Sequence, residues 1–311
     1  RGRVGRFGGR LAATGTRATE RLAWARSAHL VGICGSGMQA LAELLIGMGW
    51  RVSGSDQQAT GDVIEALGRR GQSVRPGHCA THVPRQTDEL VYSQAIGPGN
   101  AERIRAAVLG IPQFSYSQML GRLMSDRIGV SIAGTHGKST TTAMTASLLD
   151  SAGLSPSAVV GAQLIDRECS GWAGRGELLV VESCEYRRSF LDLVPRFAVI
   201  TGIEPDHFDY FADLDDTVDA FAEFASQVAA DGLLLVNRDC AAAMKAGTHA
   251  RAQVVTLSQQ GEADWWAADM RNTRWGTRFR VFRHSDFFAE IELPLPGRHN
   301  VANALAAIAM S

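Results

Sequence analysis

Gly134, Thr135, His136, Gly137, Lys138, Ser139 and Thr140 bring two glycines, a lysine and several hydroxyls together directly after an apolar segment, residues 128–132. This is the make-up of a phosphate-binding loop. Glycines let backbone N–H groups close on phosphate oxygens, and the helix that follows adds positive potential at its N-terminus. Lys138 would reach the β and γ phosphates of ATP, and the Ser139 hydroxyl would take a position on Mg²⁺. The general pattern wants glycine where Ile132 stands, so the strand-then-helix context carries the reading against an ordinary turn.

Two further features fall where a nucleotide–metal centre needs them. Glu182 follows an apolar segment at 177–181, and Glu204-Pro205-Asp206-His207 follows another at 197–201, which places both at strand carboxyl ends. Ligands of open parallel sheets bind at that edge. A carboxylate and an imidazole beside the loop can complete the coordination of Mg²⁺, an ion that prefers oxygen and keeps several waters. Taken singly, Glu182 reads as a helix cap or surface acid and His207 as a loop histidine; their joint placement favours the metal. Upstream, Gly35-x-Gly37-x-x-Ala40 with Asp56 about 20 residues on has the form of a dinucleotide turn, with Asp56 on a ribose hydroxyl. The same turn serves any diphosphate nucleotide, because backbone amides and helix dipole read the pyrophosphate.

These residues need a scaffold of alternating strands and helices, and the hydrophobic periodicity supplies one. Strand 29–33, helix 40–48 and strand 50–53 make a βαβ unit, continued by helix 62–70, strand 89–93 and helix 101–109. Helix 117–124 closes this series and strand 128–132 opens a second one, with helix 140–152, strands 177–181, 197–201 and 232–236, and helix 217–229. After Ala263 short alternating runs such as 278–282 and 288–293 predict an antiparallel edge. The fold class is therefore α/β: a Rossmann-like domain with a parallel sheet over 28–125, then a phosphate-loop α/β domain over 126–311. Residues 1–27 carry seven arginines against the single acid Glu20 and read as a disordered leader.

Composition excludes several functions. A net charge of −1 gives no general basic surface for nucleic acid or anionic lipid. No apolar run reaches the roughly 18 residues of a membrane-spanning helix. The five cysteines are scattered, odd in number and never paired as Cys-x-x-Cys, which fits a reducing cytoplasm. Nothing in the sequence fixes an oligomeric state.

Three stretches in this order, G-T-H-G-K-S-T at 134–140, I-E-P-D-H-F-D at 203–209 and P-G-R-H-N-x-x-N-A at 296–304, resemble the Mur ligase family. The His136 position, H-L-V-G-I-C-G-S-G-M at 29–38, S-G-S-D at 53–56, Gly77-His78 and Y-S-Q-A-I at 92–96 are similar to its alanine-adding branch. The resemblance implies a first domain that binds UDP-N-acetylmuramate, a central domain that binds MgATP, and a third domain beyond Ser311. It carries Gly35, Ser36, Gly37, Met38, Ser55, Asp56, His78 and Ser93 to the UDP-sugar, and the loop 134–140 with Asn300, and Asn303 behind it, to ATP. Lys138, Glu182 and His207 become the catalytic residues, and Ser139, Glu182 and His207 the Mg²⁺ ligands. The implied reaction converts the lactyl carboxylate to an acyl phosphate, from which the amine of L-alanine displaces phosphate.

After Glu182 the usual Ala-Asp-Glu-Ser-Asp is replaced by Ser183-Cys184-Glu185-Tyr186-Arg187, which exchanges acids for arginine and raises the expectation that Arg187 meets an anionic group. Without a third domain the 311 residues are expected to bind both nucleotides and form little product. The rival readings are a recycling ligase that attaches a peptide to UDP-N-acetylmuramate, and a non-catalytic nucleotide- or NAD-binding protein.

Overall fold

The computed structural model describes residues 26–311. All but the last two residues of the expected leader lie outside the described residues, and Ser27 already belongs to the first strand. Among the described residues two sheets form. The first holds β1 (Ser27–Val31), β2 (Arg51–Asp56), β3 (Ser73–Pro76), β4 (Glu89–Tyr92) and β5 (Gln113–Ser115), all parallel, in the order β3-β2-β1-β4-β5. The chain runs outward from β1 in one direction and then crosses to β4 on its other side. That reversal is the switch point where such sheets take ligands, and the glycine turn sits there, at the end of β1.

Helices α1 (Ser36–Gly47), α2 (Gly61–Arg69), α3 (Ala101–Leu109) and α4 (Tyr116–Ser125) connect these strands. Met38, Leu41, Leu44 and Leu45 recur at helical spacing and form the buried side of α1. Asn100 caps α3 by accepting the Glu102 and Arg103 N–H groups, and left-handed Gly110 ends it. Ser115 and Gln118 form a capping box on α4.

The second sheet has ten strands: β6 (Ile128–Ala133), β7 (Ser157–Leu164), β8 (Cys169–Trp172), β9 (Leu178–Glu182), β10 (Phe197–Ile200), β11 (Leu233–Asn237), β12 (Gln253–Ser258), β13 (Trp265–Thr273), β14 (Gly276–Arg283) and β15 (Asp286–Leu293). Their order is β15-β14-β13-β12-β11-β10-β6-β9-β7-β8, parallel from β13 to β7, with β14, β15 and β8 added antiparallel. Helices α5 (Lys138–Ser151) and α8 (Arg298–Met310) cover one face and α6 (Leu214–Gln227) and α7 (Ala241–Gly247) the other. In β10, Val199 joins the α5/α8 core while Ala198 and Ile200 join the α6/α7 core, which explains why central strands are apolar throughout.

The short β3 and β5, the hairpin β7–β8, β12 and α7 go beyond the periodicity reading. The outer half of β7 and most of β12 are only partly buried, so neither shows a continuous apolar run. The hairpin lies on α1, where Glu43 Oε2 accepts the N–H groups of Ser170 (2.7 Å) and Gly171 (3.0 Å). A side chain at Gly171 would strike the Ala40 carbonyl. Val159, Leu179, Val181 and Leu193 pack in the same core cluster as Leu30, Leu41 and Leu45, so the two sheets share buried surface. No helix of the described residues is long and apolar enough to cross a membrane.

Candidate active site at the carboxyl edges of the two sheets

β6 delivers the loop 134–137 to the start of α5. Gly134 (φ +134°) and Gly137 (φ +81°) both hold backbone conformations that favour glycine. A Cβ on Gly134 would overlap the Thr201 hydroxyl, and one on Gly137 the Asn303 side-chain oxygen. The loop is thus wedged between β10 and α8. Thr201 also donates to the His136 carbonyl at 2.6 Å, and Thr135 exchanges hydrogen bonds with the backbone of Glu204. Ser139 and Thr140 sit half-buried in the first turn of α5, and the His136 ring is exposed.

Lys138 folds back over this loop. Its ammonium donates to the carbonyls of Gly134 (2.6 Å) and Thr135 (3.2 Å) and to Glu185 Oε1 (3.1 Å). Glu185 is buried, and its Oε2 faces the ammonium at 3.0 Å without a directed hydrogen bond. His207, in left-handed backbone (φ +53°), places Nε2 3.7 Å from Glu185 Oε1 and 4.0 Å from Asp206 Oδ2. Its ring rests on Tyr186, with centroids 4.9 Å apart, and the Tyr186 hydroxyl donates to Asp209. One ligand atom each from Glu185, Asp206 and His207 lies within 4.8 Å of the others. Two carboxylates and an imidazole, one oxygen of them buried without a hydrogen-bond partner, suit a divalent cation such as Mg²⁺.

The structure thus groups His207 with Glu185 and Asp206, and it turns Glu182 elsewhere. Because β7 pairs with β9, the N–H of Gly161 meets Glu182 Oε2 at 2.6 Å. Sequence reasoning passed over Glu185 as part of an altered stretch; its only signal was an acid three residues beyond Glu182. Of the two arginines of that stretch, Arg188 pairs with Asp216 (2.8 Å) and Glu223 (3.2 Å) on α6. Arg187 reaches the Gln94 carbonyl of the first sheet's domain at 3.5 Å rather than an anion. Both have φ above +50°, so the chain kinks there and sends Glu185 inward.

Two cavities flank this centre. One of about 580 Å³ lies between the loop and α8, with Leu257, Leu305 and Ala306 as apolar walls and Asn237, Ser258 and Asn303 as polar ones. Flat apolar walls with a few amides suit a nucleobase. Asn303 lines it, whereas the Asn300 amide donates to the Pro296 carbonyl at 2.8 Å and stays out of the wall.

The second cavity, of about 420 Å³, lies between the domains. Gly35, Ser36, Gly37, Met38 and Ser93 face Glu182 and Cys184 across it. Tyr116, missed from the sequence, stands among them with its ring against Gly37. Burial, then Glu182 and Cys184, push its phenol above the usual range. Burial, then Glu185, likewise raises the Cys184 thiol, which keeps it protonated. Ser55, Asp56 and His78 lie outside this cavity wall. The Asp56 carboxylate accepts the N–H groups of Cys34 (2.9 Å) and Gln58 (2.8 Å), and so fixes the glycine turn.

A phosphate-type loop on one parallel sheet and a glycine turn on a second, its cavity closed by the segment that follows β9, define an α/β nucleotide-binding class. The Mur ligase middle domain matches residues 132–311, and the catalytic domain of the Mur ligase family matches residues 27–128. The chain belongs to the Mur ligase family. It is 38% identical over 286 residues to a UDP-N-acetylmuramate–L-alanine ligase of Chlorobaculum tepidum, covering 92% of this chain and 60% of that protein. It therefore spans about 60% of the length of the curated relatives it matches. Among solved structures it resembles the UDP-N-acetylmuramate:L-alanyl-γ-D-glutamyl-meso-diaminopimelate ligase of Neisseria meningitides, with a TM-score of 0.81 and 27% identity over 92% of this chain and 93% of that one. It also resembles the UDP-N-acetylmuramate–alanine ligase of Thermotoga maritima, with a TM-score of 0.78 and 25% identity over 91% and 64%.

Proposed function

We propose that this chain provides the UDP-sugar-binding and ATP-binding parts of a ligase that joins L-alanine to the lactyl carboxylate of UDP-N-acetylmuramate, a step of peptidoglycan precursor synthesis in the cytoplasm. In this reading residues 28–125 form the sugar-nucleotide domain and 126–311 the ATP domain. The observation that supports it is the interdomain cavity, in which the glycine turn 35–38 faces Glu182, Cys184 and Tyr186, the residues that flank Lys138's partner Glu185 in the chain. A sugar-nucleotide held at the turn would extend its lactyl group toward the γ-phosphate.

Within that frame Lys138 and the loop amides neutralise and hold the phosphoryl group while the carboxylate attacks it, and the amine then displaces phosphate from the acyl phosphate. Mg²⁺, held by Glu185, Asp206 and His207 with Ser139 and Glu182 within the same edge, would supply further charge neutralisation. Asn303 would contact the adenine. No protein nucleophile takes part, and a protonated Cys184 suits that. The sequence relatives are named for L-alanine, and the Neisseria structure for a peptide-adding activity; both place UDP-N-acetylmuramate first.

The test is phosphate release from ATP with UDP-N-acetylmuramate and either L-alanine or the tripeptide as acceptor, by this chain joined to the third domain that the family resemblance implies. L-alanine-dependent release that Lys138→Ala lowers by about 100-fold or more is expected. Dependence on the tripeptide instead would establish the recycling reaction, and release that needs no UDP-sugar would end both readings.

A further inference from the structure

The two faces of the first sheet differ in chemistry. On β1, Ala28 and Leu30 join the core that holds Leu41 of α1 and Leu67 of α2, while Val31 packs with Val83 and with Ala106 of α3. Strand alternation puts His29 on the same face as Val31, and the registers His29–Ser53–Ser73 and Val31–Ser55–Arg75 carry that face across β2 and β3. Its outer half is therefore polar. Between β3 and β4 the chain makes no α-helix to cover it, only the 3-10 turn Ala80–His82. A cavity of about 450 Å³ remains there, with His29, Ser53, Ser73, Arg75, Thr81 and His82 in its wall. It shares no wall residue with the two cavities that flank Lys138.

Two of its wall groups are complementary in character. Arg75 is exposed, and its guanidinium has no hydrogen-bond or ion-pair partner among the described residues. Behind His29 stands Glu102 of α3, fully buried, with its Oε2 at 2.7 Å from His29 Nε2. Burial pushes this carboxyl up, but the hydrogen bonds from His29 and Ser55 outweigh it and leave it below the usual glutamate range. An ionised carboxylate only accepts, so His29 donates from Nε2, and in the neutral ring Nδ1 is an acceptor. The Ser53 hydroxyl, 2.9 Å from Nδ1, gives its one proton to the ring. Toward the cavity Ser53 Oγ therefore turns lone pairs alone.

We propose that this cavity binds a zwitterionic α-amino acid, its carboxylate on the Arg75 guanidinium and its ammonium on Ser53 Oγ. Ser53 and Arg75 are diagonal neighbours on β2 and β3, a spacing that a short zwitterion bridges with one hydrogen bond at each end. A planar carboxylate suits the guanidinium fork, and its single charge matches the single cation. The ammonium brings the donors that Ser53 lacks and a charge opposite to that of Glu102. The site stands apart from both nucleotide cavities, so it does not rest on the proposed function.

Glycine, acetate and methylamine separate the two contacts. In NMR titrations of this chain at pH 8, glycine should shift the signals of Ser53, Ser73, Arg75 and Thr81. It should bind at least about tenfold more tightly than acetate or methylamine, each of which carries one of its two charged groups. Arg75→Gln, at an exposed residue, should erase the preference over methylamine, and Ser53→Ala the preference over acetate, while Lys138→Ala changes neither. Equal wild-type affinity for glycine and acetate overturns the proposal. So does tighter binding of inorganic phosphate than of glycine, or glycine shifts confined to residues around Lys138. Should Ser53→Ala not fold, Arg75→Gln decides alone: unchanged glycine affinity in that variant overturns the proposal.

Discussion

At Lys138 the ammonium is already neutralised by a buried carboxylate, Glu185, and the loop carbonyls hold it in place. In the proposed function an arriving triphosphate would compete for that ammonium and would leave Glu185 with its charge to share with a cation. Glu182 has a partner that does not leave, the N–H of Gly161. Glu185→Gln and His207→Ala should therefore raise the Mg²⁺ concentration at half-saturation of nucleotide binding by about tenfold or more. Glu182→Gln should move it less and cost about 1 kcal/mol of stability through the weakened bond to Gly161. Magnesium titrations of nucleotide fluorescence, with thermal melts alongside, check this. An equal shift in all three variants would mean that Glu182 turns off Gly161 to reach the metal.

The unit that matters at the next scale is strand–loop–helix, β6 to α5. Its loop is enclosed by three neighbours: Thr201 at the end of β10, Glu204 in the segment that follows, and Asn303 of α8. Gly137→Ala forces a Cβ into the Asn303 amide at a backbone angle of +81°. The substitution should destabilise the protein by about 1–3 kcal/mol and weaken ATP binding more than UDP binding. Calorimetry with each nucleotide measures the split. Unchanged ATP affinity would show that α8 yields without disturbing the loop amides.

Across the whole molecule the two sheets are joined by more than the chain between α4 and β6. The β7–β8 hairpin sits on α1 through Glu43, which also receives Arg70 at 3.0 Å, and Leu179 and Val181 pack with the first domain's core. The described residues should unfold in one cooperative transition. Glu43→Ala leaves the Ser170 and Gly171 N–H groups without their carboxylate, at about 1–3 kcal/mol, and should split or broaden that transition. Scanning calorimetry decides: a wild type already in two separate transitions would show that the shared core carries little coupling.

The sequence by itself determined the α/β class, the strand-to-helix loop at 134–140, the glycine turn at 35–37 and the family. Each depends on neighbours in the chain or on a periodicity that a few consecutive residues reveal. Only the tertiary structure decided that Glu185 rather than Glu182 faces Lys138, since a kink at Arg187 and Arg188 and the pairing of β7 with β9 set those directions. It likewise put Asn303, three residues along α8 from Asn300, into the cavity wall, and it brought His29, Ser55, His78 and Glu102 together from four segments. The physical reason is common to all three. Which way a polar side chain points is settled by the distant partner that satisfies it when it is buried, and no local pattern records that partner.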